Sequence, residues 1–577
     1  MLRFALIAGR AATTEAADTL RRFRRGAARN SYGLTALTDI LWLAADPEAA
    51  PAVVRLGDWI VLGDAFAHPD RLSSAPPRTA EDVVDRLWGR YLAVRCDAQG
   101  RPIAVVRDAS GAVDGLVWRG SGAVVIASVA APWMLEATRP TLAIDPAAVH
   151  AVLHAPSRAW DLSLLTGLTS LAPGSALDLE RGLAARSVWR PADFLDRARG
   201  LSVAAAGDRL RQRVDQAVVA LSADDRPLAV EASGGLDSSI VASSMKGAGR
   251  PVRAWLHTYG ADPEADERVF AEGLARILDV ALAPLPRPDA ALSATDLETL
   301  SPEARPGFNA MDPLNDAVAA AHLHTRGAKV LLTGKGGDAV FLQAFGAAVF
   351  DDLRRRRGLA ALWSPTLVAA ARWEGRSVWS ILSRDGRGPA PSAAFGPPGW
   401  LTPLASPAPP HPWLTDSPRL GPARRFQIEG LIDGPGFSAA SRQTAVADLR
   451  HPLLAQPVVE ACLSIPTDRL TLGRDRGLAR RAFADRLTPE IAARRSKGDL
   501  TAYYGRMIAR SLPVLRPWLL DGALCAQGLL DRRRIEQALT IEQLIWRGGY
   551  REIMIAATME SWWRTWTGRI ADLQAAS

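Results

Sequence analysis

The chain has 577 residues, too many for one hydrophobic core, so roughly two to four domains are expected. It is 48% hydrophobic and 23% charged, an ordinary globular balance, and no apolar run approaches the roughly eighteen residues of a membrane helix. The net charge of +8 comes from basic residues that are dispersed apart from "RRFRR" (21–25) and "RRRR" (354–357), without an aromatic-interleaved binding motif, which argues against nucleic acid and suits a polyanionic substrate or an acidic peptide.

The opening "MLRFALIAGR" is too short in its apolar part for a secretory signal and reads as a first β-strand. Cys96, Cys462 and Cys525 are scattered and odd in number, so neither a disulfide framework nor a C-x-x-C metal site is implied, and a cytoplasmic setting fits. "GRYLAVRCDAQGRPIAVVRDASG" (89–111) alternates apolar and polar residues around a glycine-containing turn, a hairpin signal, and "GLVWRGSGAVVIAS" (115–128) repeats it. Residues 1–195 therefore read as a β-rich domain. From about 205 the texture changes to helices alternating with short apolar strands, through to 577. That alternation predicts a doubly wound parallel sheet, whose ligand lies at the carboxyl ends of its strands.

The first such end is "EASGGLDSSIVASSM" (231–245), where a strand meets a helix expected to begin near Ser238. Glycines let the chain turn sharply and let a ligand reach its N–H groups, while the helix start adds unpaired donors and a positive dipole end. Ser233, Gly234, Gly235, Leu236, Asp237, Ser238 and Ser239 thus form a candidate phosphate site, with Asp237 requiring a cation such as Mg²⁺ between itself and the phosphates. The plainer alternative is a tight turn capped by Asp or Ser. No G-x-x-x-x-G-K-[ST] loop occurs in the chain. "KVLLTGKGGDAVF" (329–341) repeats the design: Gly334, Gly336 and Gly337 bend the loop, and Asp338 is a second carboxylate for the same cation.

Residues 389–422 hold eleven prolines and read as a long irregular insertion on the surface, which Trp400 and Trp413 dock onto the body. Of 69 basic residues only Lys246, Lys329, Lys335 and Lys497 are lysine. Chance covers Lys246 and Lys329, whereas Lys335 and Lys497 stand inside motif-like stretches, where a compact ammonium has specific uses.

"SGGLDSS" resembles the pyrophosphate loop of enzymes that split ATP between its α and β phosphates. Together with "DERVFAEGLARIL" (266–278), "LLTGKGGDAVF", "DLRHPLLAQPVVEACLSIP" (448–466) and "RRAFADRLTPEIAARRSKGDL", it resembles the asparagine synthetase B family over most of the chain. The resemblance implies an α+β, glutaminase-like N-terminal domain (Ntn-type, a β-sandwich) over 1–195. It implies an α/β ATP-binding synthetase domain over 205–577. It also implies activation of a carboxylate as an acyl-adenylate, with ATP and Mg²⁺, followed by attack of an amine. Lys497 matches a lysine that contacts the reacting centre, and Asp448 is a candidate for orienting or deprotonating the amine.

The departures are as informative. Glutamine-dependent members carry a cysteine nucleophile where this chain has Leu2, so hydrolysis of glutamine by that route is not expected. Lys335 stands where many members have Glu, Ala339 and Ala455 replace common acids, and the family's E-x-R-x-P reads Asp448-Leu449-Arg450-His451-Pro452. "HPLL…PVVEA" and "GKGGD" resemble the lasso peptide cyclases of that family. These close an Asp or Glu side chain of a precursor peptide onto its own N-terminal amine, with a leader peptidase as a further partner and neither nucleic acid nor membrane involved. A β-lactam or other small-molecule amide synthetase, and an inactive nucleotide-binding scaffold, remain as alternatives.

Overall fold

Period-two patterning in the first third of the chain builds two antiparallel sheets of six strands. The computed structural model describes residues 2–9, 13–182, 185–383, 397–407, 409–415, 420–495 and 498–575. One sheet runs in the order 168–170, 116–120, 123–127, 4–9, 41–45, 33–36; the other runs 185–187, 175–178, 102–107, 87–96, 59–67, 53–56. Both hairpins expected from the sequence form, with Arg95 opposite Ala104 and Trp118 opposite Val125. The facing sides enclose a core in which Leu2, Phe4, Leu6 and Leu43 meet Ile60, Leu62, Leu92 and Val105.

The outer faces of the two sheets have different covers. The helices Thr14–Arg29, Pro132–Thr138 and Tyr550–Ala575 carry Phe23, Trp133, Met559, Trp562 and Trp566 into one core with Ile7 and Trp118. On the other side Val61, Tyr91 and Ala93 share a core with Leu210 and Val214 of the helix Val203–Leu221, and with Leu453 and Val458. Burial on both sides therefore ties the β-rich part to the rest.

Besides a two-stranded pair of 143–144 with 165–166, a further sheet has five strands, all paired in parallel, in the order Leu282–Pro286, Val252–Tyr259, Leu228–Glu231, Val330–Leu332, Asp448–Arg450. The chain enters at the centre, moves outward to one edge, then returns to the other side of its first strand. Helices Leu236–Gly247, Arg268–Leu278 and Pro313–Thr325 make these crossovers, as their apolar spacing predicts. The order reverses between 228–231 and 330–332, and at such a switch the loops leaving the two strands part to form a crevice.

The described parts of the proline-rich stretch are docked onto the body by their tryptophans, as expected. In its described parts Trp413 is buried and packs edge-on against Trp189 at 5.2 Å, and Leu401 bridges Leu530 beside the buried Trp400. Large aromatic area outweighs the irregular backbone around it. Among the described residues no helix is long and apolar enough to cross a membrane.

Candidate active site

The crevice at the strand switch is built from two glycine loops pressed together. Gly234 has φ +75°, and a Cβ there would come within 2.4 Å of Ala271 N, so only glycine fits against the 268–278 helix. The hydroxyls of Ser233 and Ser238 lie 2.7 Å apart and the Ser233 N–H donates to Ser238 Oγ, which folds the loop over its own helix. That helix begins at Leu236, two residues earlier than expected, with Gly235 as its N-cap and no side-chain capping bond. The turn capped by Asp or Ser is therefore not what forms. The helix start faces the crevice without a side chain closing it.

The second loop leaves the neighbouring strand and closes onto the first. A Cβ on Gly334 would sit 2.3 Å from Ser238 N, and one on Gly337 would sit 2.4 Å from Asp237 Cγ. This close approach brings Asp237 and Asp338 to a single guanidinium. Arg476 Nη1 donates to Asp237 Oδ2 at 3.1 Å and to Asp338 Oδ1 at 2.6 Å, and its Nε donates to Asp475 Oδ2 at 3.0 Å. Burial opposes charge on Arg476, but Asp237, Asp338 and Asp475 outweigh it and raise the guanidinium above its ordinary value. Its backbone has φ +52°, a conformation costly for a bulky residue and held here by the surrounding contacts.

The cleft has a volume of about 330 Å³. Ser233, Gly235, Leu236, Asp237, Ser238, Gly334, Gly336 and Asp338 line it, while Gly234, Ser239 and Gly337 lie in the layer behind. Lys335 reaches from the second loop across to another wall, where its ammonium donates to Asn309 Oδ1 at 3.0 Å and stands 5.6 Å from the Phe437 ring centroid. Burial lowers the Lys335 pKa below the ordinary lysine value, and the nearby Glu231 and Asp316 counter only part of that shift. Opposite, Arg494 pairs with Glu267 at 2.7 Å, and the Gly498 N–H donates to the same carboxylate at 2.9 Å.

Hard carboxylate oxygens beside exposed backbone donors, in a cradle that excludes any Cβ, fit a divalent cation carrying a pyrophosphate. Asp237 and Asp338 would hold the cation, and the 233–239 loop the phosphates. Two expectations end differently. Lys497 lies outside the described residues, although Arg494 and Gly498 on either side of it line the cleft. Asp448 opens the edge strand, at the end of the sheet away from the switch loops. Both of its oxygens accept from Arg90, at 2.9 and 2.8 Å, and Oδ2 also accepts from Arg450 Nε at 3.0 Å and Arg226 Nη2 at 3.2 Å. Burial alone would raise this carboxyl, but Arg90 and Arg450 hold it well below the aspartate range, so in this structure it stands at the centre of an ion-pair cluster.

Arg476, Glu267 and Arg494 escaped sequence reasoning. Nothing marks one arginine among so many, and Arg476 lies 138 and 239 positions along the chain from its partners Asp338 and Asp237. In the β-rich half Leu2 is buried between the sheets, its carbonyl accepting from Ser128 Oγ at 3.1 Å. Burial raises the thiol of Cys96 to about 11 and that of Cys462 to about 12, and raises Cys525 as well, so none is an activated nucleophile.

No curated protein matches the chain. The sequence profile of the asparagine synthase family matches residues 209–400 and 440–564, beginning inside the helix that joins the two halves. Both glycine loops and Arg476 fall within the match, which covers more than half the chain; members form amide bonds at the expense of ATP. The chain belongs to the asparagine synthase family.

Proposed function

We propose that the protein is an AMP-forming amide ligase that closes a macrolactam within a peptide, joining an Asp or Glu side chain to the peptide's own N-terminal amine. The observation that carries this reading is the meeting of Asp237 and Asp338 at one guanidinium nitrogen, beneath an uncapped helix start. The backbone of 233–239 holds the β and γ phosphates, and Arg476 and Lys335 add positive charge at either side of the loops. Mg²⁺, held by Asp237 and Asp338, would neutralise pyrophosphate as it departs. The substrate carboxylate oxygen attacks the α-phosphorus, and the bond to pyrophosphate breaks. The peptide amine then attacks the acyl carbon, forming the amide while AMP and a proton leave. Positioning and preorganised charge supply most of the acceleration.

In this reading residues 1–195 form a glutaminase-like domain without its nucleophile, since Leu2 fills core space, and 205–577 form the catalytic domain. The partners are the precursor peptide and a leader peptidase. The peptide reading draws on "HPLL…PVVEA" and on the cleft's basic residues, which suit an acidic acyl donor.

The test is incubation with ATP, Mg²⁺ and peptides that carry a free amine and an internal Asp or Glu. AMP, pyrophosphate and a product lighter by one water are expected. Asp237→Asn and Asp338→Asn should each abolish pyrophosphate release while keeping the fold. Pyrophosphate release with small carboxylates alone would instead favour a β-lactam or small-molecule synthetase, and no AMP from any substrate would leave a scaffold.

A further inference from the structure

Exposed large apolar side chains gather on one helical unit. Leu359, Leu362, Trp363, Val368, Trp373 and Trp379 all lie on the segment formed by Gly358–Trp363, Pro365–Glu374 and Val378–Leu382. Trp363 is 82% exposed, Leu359 78% and Trp379 75%, although Phe350, Leu353, Leu367 and Ile381 already fill a core beneath them. The outward residues are therefore surplus to folding, and an apolar surface of this kind marks a contact site. Residues 354–383 contain six arginines and one acid, Glu374. Among the described residues the exposed Arg355, Arg357 and Arg372 have no carboxylate partner, so this stretch of chain carries uncompensated positive charge alongside its tryptophans in sequence. Tryptophan and arginine are the residues that most often dominate binding.

The patch continues to the cleft. Trp373 packs edge-on against Phe345 at 5.7 Å and lies 5.9 Å beneath the Arg495 guanidinium, whose neighbour Arg494 lines the cleft. We propose that this surface docks an acidic peptide segment bearing large apolar side chains, beside the mouth of the active site. The arginines select acidic residues, and Trp363 and Trp379 supply apolar anchors. A lipid surface is the poorer fit: the apolar residues project from three short elements, not from one flat amphipathic face, and the patch runs into a reaction cleft. The inference rests on the ligase reading only for the path of the docked chain into that cleft.

Fluorescence anisotropy without ATP tests it, using the full chain and a labelled model peptide of glutamate and leucine, the leucines at helical spacing. The peptide should bind, and added salt should weaken it. Trp363→Ser with Trp379→Ser should weaken binding at least about 30-fold, the loss of one hot-spot aromatic. Arg355→Glu with Arg357→Glu and Arg372→Glu should weaken it similarly and remove the salt dependence, and both variants should still bind ATP. No binding at about 100 µM peptide, equal binding of a lysine–leucine counterpart, or variants that bind like wild type would overturn the proposal. Capture by phosphatidylglycerol vesicles through these residues, with no peptide binding, would also overturn it. Pyrophosphate release by the wild-type protein reports the ligase reading separately.

Discussion

Asp448→Asn should cost stability, not chemistry. The carboxylate is buried among Arg90, Arg450 and Arg226, and Arg90 and Arg450 are themselves buried. Removing one partner of a buried ion pair leaves an uncompensated charge and costs roughly 3–5 kcal/mol. Arg90 keeps Asp64, and Arg450 keeps Asp224, so the loss is partial and the lower end, about 3 kcal/mol, is expected. Urea unfolding followed by tryptophan fluorescence measures it. Combining the variant with Arg90→Ala should cost less than the two changes summed, since both remove one contact. The pH dependence has a definite sign: a carboxyl depressed in the folded state stabilises above its unfolded pKa of about 3.9, and that contribution is lost as pH falls through the lower folded value. Asp448→Asn should flatten this acid limb. A variant that unfolds like wild type yet no longer forms product would refute the reasoning and restore Asp448 as a catalytic group.

Other expectations can be checked independently. Lys497→Ala should still bind ATP but form product about 10²–10³ times more slowly, with no rescue by arginine; full activity of Lys497→Arg, read by product mass, would reduce its role to generic charge. Because burial lowers the Lys335 pKa, its share of ATP binding should fade at a lower pH than an ordinary lysine's, and Lys335→Arg should remove that fading in calorimetric titrations. Glutamine should neither be hydrolysed nor stimulate turnover, and glutamate released from glutamine by pure protein would contradict the reading of Leu2.

The sequence by itself determined the local units. Strand, glycine loop and helix at 228–247 are contiguous, so their conformation follows from backbone freedom at Gly234, apolar spacing and small side chains within a few residues. The same holds for 330–340 and for the two hairpins of the β-rich half. Tertiary structure decided what those units meet. The strand order places the two glycine loops side by side and moves Asp448 to the opposite end of the sheet, although a carboxylate beside Arg-His-Pro reads in sequence as a reactive group. It also sets Arg476 between Asp237 and Asp338 and draws Trp413 of the proline-rich stretch into the core. These pairings join residues far apart in the chain, and their energies come from charge compensation and buried area that exist only once the sheet is assembled.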